Sequence, residues 1–431
     1  MASLILGNVP IHGHVAPLLS VAQHLVERGD RVRFVTGARF ADRVRAVGAE
    51  HVPLPAEADF DDRQDWREIF PERTALKGAK AIAFDLENVF VRPGRGQHDA
   101  VMAAHRDRPA DAVLVDTAFL GGAFLLGHPA AARPAVIVCG VVPLPLPSRD
   151  TAPFGMGLPP MRGPLGRLRN RLLGGLAART VFPGVDRVAD GINRELHGAP
   201  LPFPTMGWQR SAEAIVQLTV PEFEYPRSDA PPTLHFVGPV PPRAAATPLP
   251  PWWDELDGSR PVVHVTQGTI ANRDYRQIIA PTLEALADDD VLVVVSTGGR
   301  PLDTLPALPE NARAAEFLSY DELLPRTDVY VTNGGYGGVQ LALCHGVPIV
   351  TSGGQEDKPE VAARIAWSGV GRRIRSEAPS PAAVRRAVRA VLREPGYRDR
   401  ARAMAARMAA AGGLDHLARV VDAVVAGVRA P

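Results

Sequence analysis

The feature that most limits this chain is a repeated alternation. Short apolar runs end on glycine or a small polar residue, and each is followed by a longer stretch of helical periodicity. Residues 3–6 form the first run, and Val15, Leu18, Leu19, Ala22, Leu25 and Val26 follow at helical spacing. A turn through Gly29 leads to RVRFVT at 31–36. Such runs read as strands buried on both faces. A helix between two of them makes a βαβ unit, whose strands lie parallel. AVLV at 112–115 and AVIVC at 135–139 continue the pattern, with a short helix expected between them. The alternation restarts at PVVHVTQGT, 261–269, and runs through VLVVVS at 291–296, VYVTNGGYGG at 329–338 and PIVTSGG at 348–354. Helices are expected near 274–287 and 339–344, then over 358–367, 381–392, 397–411 and about 415–428. The chain therefore reads as two successive doubly wound α/β halves, each Rossmann-like, facing across a cleft.

Between the strands lie two irregular excursions, 55–110 and 143–210, the second rich in Pro, Gly and Arg. Proline is dense again over 221–251, where we place the link between the halves, with a short strand at 234–237 expected to open the second one. The division is 1–225 for the N-terminal domain, 226–250 for the linker and 251–412 for the C-terminal domain. The last helix, within 413–431, is a candidate for packing back on the N-terminal domain.

Composition removes several functions. The 431 residues suffice for two domains at roughly 100–200 residues each. Lys+Arg 48 against Asp+Glu 47 leaves a charge of +1, so neither nucleic acid nor an anionic membrane is an expected partner. No stretch reaches the ~18 apolar residues of a membrane span. Cys139 and Cys344 lie far apart outside any metal-like spacing, so neither a disulfide nor a structural zinc is expected. The N-terminal residues read as a first strand rather than a signal peptide, and a cytoplasmic location is expected. Only three of the 48 basic residues are lysines, Lys77, Lys80 and Lys358.

Ligands of such sheets bind at the carboxyl ends of the strands, so the polar residues placed there are the candidates. His12 and His14 follow the first strand, and Pro17 lies close behind, in what reads as the first helical turn. The helix dipole there disfavours an imidazolium, and a neutral ring can serve as a general base; an ordinary polar loop is the competing reading. A metal reading of H-x-H lacks a third ligand. Asp116, directly after AVLV, can orient a histidine or simply cap a helix. Gly268 and Thr269 end one strand of the second half, and Asn333, Gly334, Gly335, Gly337 and Gly338 end another. Glycines and free N–H groups at a helix start admit a phosphate, and a tight turn without ligand needs fewer of them. No GxxxxGK[ST] or GxGxxG occurs, which disfavours a P-loop and a nicotinamide site. Glu356, Asp357, Lys358 and Glu360 could hold sugar hydroxyls or only charge a helix terminus.

Together these segments resemble glycosyltransferase family 1, the GT-B enzymes that include macrolide and other natural-product glycosyltransferases. The likeness spans the chain and is strongest over 317–371, in FLSYDELLPRTDVYVTNGGYGG, HGVPIV and GGQEDKPEVAARIAWSGVG, with GHVAPLL near the N-terminus. The resemblance implies that His14 is the catalytic base and Asp116 its partner. It implies that Gly268, Thr269, Asn333, Gly334, Gly335, Gly337 and Gly338 lie along the diphosphate, and that Phe317 and Leu318 face the base. Asp357 and Lys358 stand where the family has an acidic residue and Gln for the sugar hydroxyls. Leu341 stands where many members have a Glu for the ribose. The implied activity is an inverting hexosyltransferase, moving a hexose or deoxyhexose from a dTDP- or UDP-sugar to a lipophilic natural product such as a polyketide or macrocyclic antibiotic. No cofactor or metal is implied, and the protein would be a monomer or homodimer. A nucleotide-sugar epimerase and a non-catalytic binding relative on the same plan stay open. The acceptor would lie against 55–95 and 143–180, whose Phe60, Trp66, Phe70, Phe84, Phe90, Phe154 and Met156 fit an apolar pocket or ordinary core.

Overall fold

A computed structural model describes residues 1–64, 69–240, 248–269, 272–354 and 356–427. Its first sheet holds β1 Ser3–Gly7, β2 Arg31–Thr36, β3 Glu50–Pro53, β4 Ala112–Asp116, β5 Ala135–Gly140, β6 Ala214–Gln217 and β7 Leu234–Phe236. They are ordered β3-β2-β1-β4-β5-β6-β7, every pair parallel. The second holds β8 Val262–Thr266, β9 Leu292–Ser296, β10 Ala312–Ala315, β11 Val329–Thr332, β12 Ile349–Thr351 and β13 Gly371–Arg373. Their order is β10-β9-β8-β11-β12-β13, again parallel throughout. The expected α/β architecture of two Rossmann-like halves, the GT-B arrangement, is the one observed.

The helices that matter below are α1 His12–Glu27, α2 Gly94–Asp107, α3 Gly163–Thr180, α4 Phe182–His197 and α5 Tyr336–Cys344. They are followed by α6 Lys358–Ser368, α7 Pro381–Arg393, α8 Pro395–Ala410 and α9 Gly413–Val425. Leu18, Leu25 and Phe34 pack with Leu4, Leu6 and Leu114 on one face of the first sheet. Ile5, Val113, Phe119 and Trp208 fill the other. Leu417, Val420 and Val421 of α9 belong to the first of these cores, so the end of the chain returns to the N-terminal domain. Arg28, just after α1, donates to Asp422 at 2.9 Å and fastens the return.

Two local expectations change. The strand at 234–237 does not open the second domain. As β7 it pairs with β6, because the backbone of β6 would otherwise be left as an open sheet edge; Val237 N–H donates to Gln217 O at 3.1 Å. Pro17 is not in the first turn of its helix. The helix starts at His12, so Pro17 lies inside it and has no N–H to offer the Gly13 carbonyl.

The order of strands matters for the site. In each sheet the sequence runs outward in one direction, then crosses back over the first strand and runs outward in the other. These switch points fall between β1 and β4 and between β8 and β11. A crevice opens there because the two connections leave toward opposite faces.

Candidate active site

At the N-terminal switch point the loop after β1 meets the end of β4. His14, in the first turn of α1, places Nδ1 3.3 Å from Asp116 Oδ1. The carboxylate is fully buried and held on all sides: it accepts from Asn8 Nδ2 at 2.9 Å, Val9 N at 2.8 Å and Ala118 N at 2.6 Å. Asn8 also donates to the His14 carbonyl at 3.1 Å, tying the histidine's own backbone to its partner. A carboxylate on Nδ1 fixes that nitrogen as N–H and leaves the lone pair on Nε2. The His14 side chain keeps 15% exposure.

The electrostatics depart from the expectation drawn from the helix dipole. Burial works against an imidazolium, but Asp116 outweighs it through charge and hydrogen bond, with help from Asp357 and Glu356 of the opposite domain. The His14 pKa is raised above its usual 6.5. His12 behaves in the opposite way. Its burial, with Arg43 and Arg39 beside it, pulls it down to about 4, and its Nδ1 lies 3.1 Å from the Arg43 guanidinium. The structure therefore separates the two histidines that neighbour each other in sequence.

The C-terminal switch point carries the remaining candidates. Gly268 ends the β8 turn with φ of 72°, and Thr269 beside it is exposed. Gly334 has φ of 97°, and its N–H is 3.2 Å from Thr332 Oγ1. Gly335 is the N-cap of α5. A Cβ on Gly335 or Gly337 would meet nothing within 4 Å, whereas one on Gly338 would fall 2.6 Å from the Tyr330 hydroxyl. The buried Asn333 side chain donates to the Gln267 carbonyl at 3.0 Å, bracing the two turns against each other. Phe317 is 55% exposed, its ring lying over Gly299, while Leu318 is packed in a small core with Trp253.

On the neighbouring loop Asp357 is the N-cap of α6, yet its carboxyl caps no helical N–H. Burial raises its pKa, Glu356 adds to the rise, and Lys358 and His14 oppose it. Asp357 and His14 therefore sense each other's charge across the cleft. Lys358 is buried and its ammonium pairs with Glu356, the one described non-glycine residue with positive φ.

Glu360 does not face the cleft. It accepts from the Gly155 and Gly157 N–H groups of the N-terminal domain at 3.0 and 2.8 Å, and from Arg364 at 2.8 Å. Arg364 also donates to Glu224 at 2.8 Å and lies 4.2 Å above the Tyr225 ring. Arg227 lies 3.6 Å from the same Glu224. Each member of this cluster is buried, as a charge in low dielectric must be paired to persist. Sequence reasoning did not find this clasp, nor Asn8. Asn8 carried a usable signal, a polar residue directly after a strand at a switch point.

Of the apolar residues considered for the acceptor, Phe60, Phe70, Phe84, Phe90, Phe154 and Met156 are all half-buried, and Phe70 packs edge-on to Phe84 at 5.8 Å. Trp66 lies outside the described residues. No helix among the described residues is long and apolar enough to cross a membrane.

Comparison with known proteins matches residues 12–108 to the glycosyltransferase family 28 N-terminal domain. Residues 280–423 match the erythromycin biosynthesis protein CIII-like C-terminal domain. The 4'-demethylrebeccamycin synthase of Lentzea aerocolonigenes is 42% identical over 92% of this chain and 93% of its own. UDP-glycosyltransferase 2 of Phaeomoniella chlamydospora is 36% identical over 98% and 96%. Among solved structures, the calicheamicin glycosyltransferase CalG4 superposes with a TM-score of 0.76 at 23% identity, covering 100% of both chains.

Proposed function

We infer the reaction from one premise: the chain belongs to the natural-product glycosyltransferases of GT-B fold, enzymes that act on nucleotide sugars. Within them we assign it to glycosyltransferase family 1 and propose an inverting transfer. The sugar, a hexose or deoxyhexose, leaves UDP or dTDP for a hydroxyl of a lipophilic natural product. The name of the 36% identical relative favours UDP; that of the 42% identical one, a 4'-demethylrebeccamycin synthase, favours a natural-product acceptor.

The observation that carries this reading is the buried Asp116–His14 pair at one switch point, coupled in charge to Asp357 on the loop of the other domain. His14 Nε2 takes the proton of the acceptor hydroxyl as that oxygen attacks the anomeric carbon. The bond to the diphosphate breaks, and the developing imidazolium is stabilised by Asp116. Asp357 accepts from a sugar hydroxyl. The departing diphosphate is received by the N–H groups at the start of α5, beside the open faces of Gly335 and Gly337, and by the Thr269 hydroxyl. Bringing the nucleophile from the face opposite the leaving group inverts the anomeric centre, so an α-linked donor gives a β-glycoside of a D-sugar.

Purified protein offered UDP- and dTDP-sugars with a mixed panel of polyketide and macrocyclic acceptors, followed by mass spectrometry and anomeric coupling constants, tests this. The expected result is a β-glycoside whose formation His14→Ala slows by orders of magnitude. A retained configuration, or a new free nucleotide sugar without acceptor, overturns it. Because the diphosphate is met by N–H and hydroxyl donors, adding Mg²⁺ to chelator-treated enzyme should leave the rate unchanged.

A further inference from the structure

Three histidines that the transfer does not use meet in the N-terminal domain, on elements other than those bearing His14 and Asp116. His98 is in α2, His128 follows the short helix Gly121–Leu125, and His197 is the last residue of α4. One potential ligand atom from each lies within 4.8 Å of the other two. The His98 and His128 rings are parallel within 4°, with centroids 5.2 Å apart. His197 crosses His128 at 88° with centroids 4.5 Å apart.

The hydrogen bonds around the rings prepare lone pairs. His98 Nδ1 is 2.8 Å from Asp99 Oδ1, which fixes the proton there and leaves Nε2 bare. That Nε2 faces His128 Nε2 at 2.9 Å, a contact held by a single proton. His197 Nε2 donates to the Phe124 carbonyl at 2.9 Å, so its other nitrogen carries the lone pair. Burial keeps the His98 pKa lowered and that of His128 down at about 4, with the neighbouring rings and cations adding to both. A metal binds the neutral ring through its bare nitrogen. His197 closes α4 and Phe124 belongs to the last turn of its own helix, and such carbonyl ends favour a cation. Arg95, Arg106 and Arg133 oppose one; Asp99 and Glu195 offset part of that, both pairing with Arg95. Gly127 also bears on the geometry, since a Cβ there would run into the His197 ring.

We propose that His98, His128 and His197 bind one divalent transition-metal ion of the zinc type. The ion would take the place of the one proton between His98 and His128, and that proton shifts through solvent to Nδ1 of His128, leaving both Nε2 lone pairs for the ion. At Zn–N of about 2.0–2.1 Å, tetrahedral ligand nitrogens stand roughly 3.3 Å apart, so the 2.9 Å contact opens by a few tenths of an ångström, its two end-to-end rings turn until their lone pairs converge, and any separation in the triad near the 4.8 Å bound closes. Bound there, the ion staples α2, the 126–129 loop and the end of α4.

The test uses full-length protein without a histidine tag, stripped with chelator. Calorimetric titration with Zn²⁺ should show one saturable site, and Zn²⁺ but not equimolar Mg²⁺ should raise Tm. His128→Gln and His197→Gln should each weaken Zn²⁺ at least tenfold and remove the gain in Tm. Absence of saturable binding in the wild type, or unchanged affinity in both variants, overturns the proposal. If either variant folds poorly, Co²⁺ in the wild type decides. Intense four-coordinate visible bands that Zn²⁺ displaces support the site, and only weak six-coordinate bands overturn it.

Discussion

His14 owes its chemistry to a neighbour 102 positions away in the chain. With Asp116 beside it the ring holds a proton more tightly than free histidine, and a base must first be deprotonated. Activity should therefore fall on the acidic side of a midpoint above 6.5 in the kcat/KM profile. Asp116→Asn removes the charge that raises this pKa, so the limb should move to lower pH as kcat drops. A limb that stays in place would show that Asp116 only shapes the loop. His14→Ala should cost ~10²–10⁴-fold in kcat, measured by product formation at saturating donor. Lys358 is the other residue on which sequence and structure bear jointly. One of three lysines in the chain, it is buried against Glu356 and lowers the pKa of Asp357. Lys358→Gln should push Asp357 toward its protonated form and raise KM for the nucleotide sugar, while Lys358→Arg keeps the charge but not the compact ammonium. Unchanged donor kinetics in both would assign Lys358 to the packing of α6 alone.

Among the elements, the β11–α5 turn separates two reasons for glycine that the string NGGYGG cannot distinguish. Gly338 is closed in by the Tyr330 hydroxyl, so Gly338→Ala overpacks the core and should lower stability by ~1–3 kcal/mol. Gly337 faces open space, so Gly337→Ala should leave Tm nearly unchanged while weakening the nucleotide sugar. Denaturant melts and donor titrations on both variants check the contrast. In α3, Leu165, Leu168, Leu172 and Leu176 are 72%, 51%, 65% and 55% exposed, one apolar row on the outer side of the helix. Leu168→Glu with Leu172→Glu should alter the melt by less than about 1 kcal/mol, as surface changes do.

For the whole molecule the decisive feature is the clasp of Glu224, Arg227, Glu360 and Arg364. It ties the loop through Gly155 and Gly157 to α6, whose N-cap is Asp357, so loops of the two domains share one anchor. Arg364→Met leaves Glu224 and Glu360 buried without their common partner and should cost about 3–5 kcal/mol, seen in calorimetry as a lower and broader transition. A melt identical to the wild type would mean the domains are held elsewhere. The sequence by itself determined the two parallel sheets, because apolar runs too short for helices must be buried on both faces once helices separate them. It also determined which residues end those strands, and so named His14, Asp116, Thr269 and Asp357. It did not separate His12 from His14 on chemistry, since the difference lies in Arg43 and Asp116, brought close only by folding. Nor did it show that Glu360 and Asn333 spend their hydrogen bonds on the protein, or that β7 closes the first sheet. The meeting of His98, His128 and His197 was equally hidden. Local periodicity records burial along one element, whereas pairing of charges and ligand atoms depends on distances between elements, which the tertiary structure alone decides.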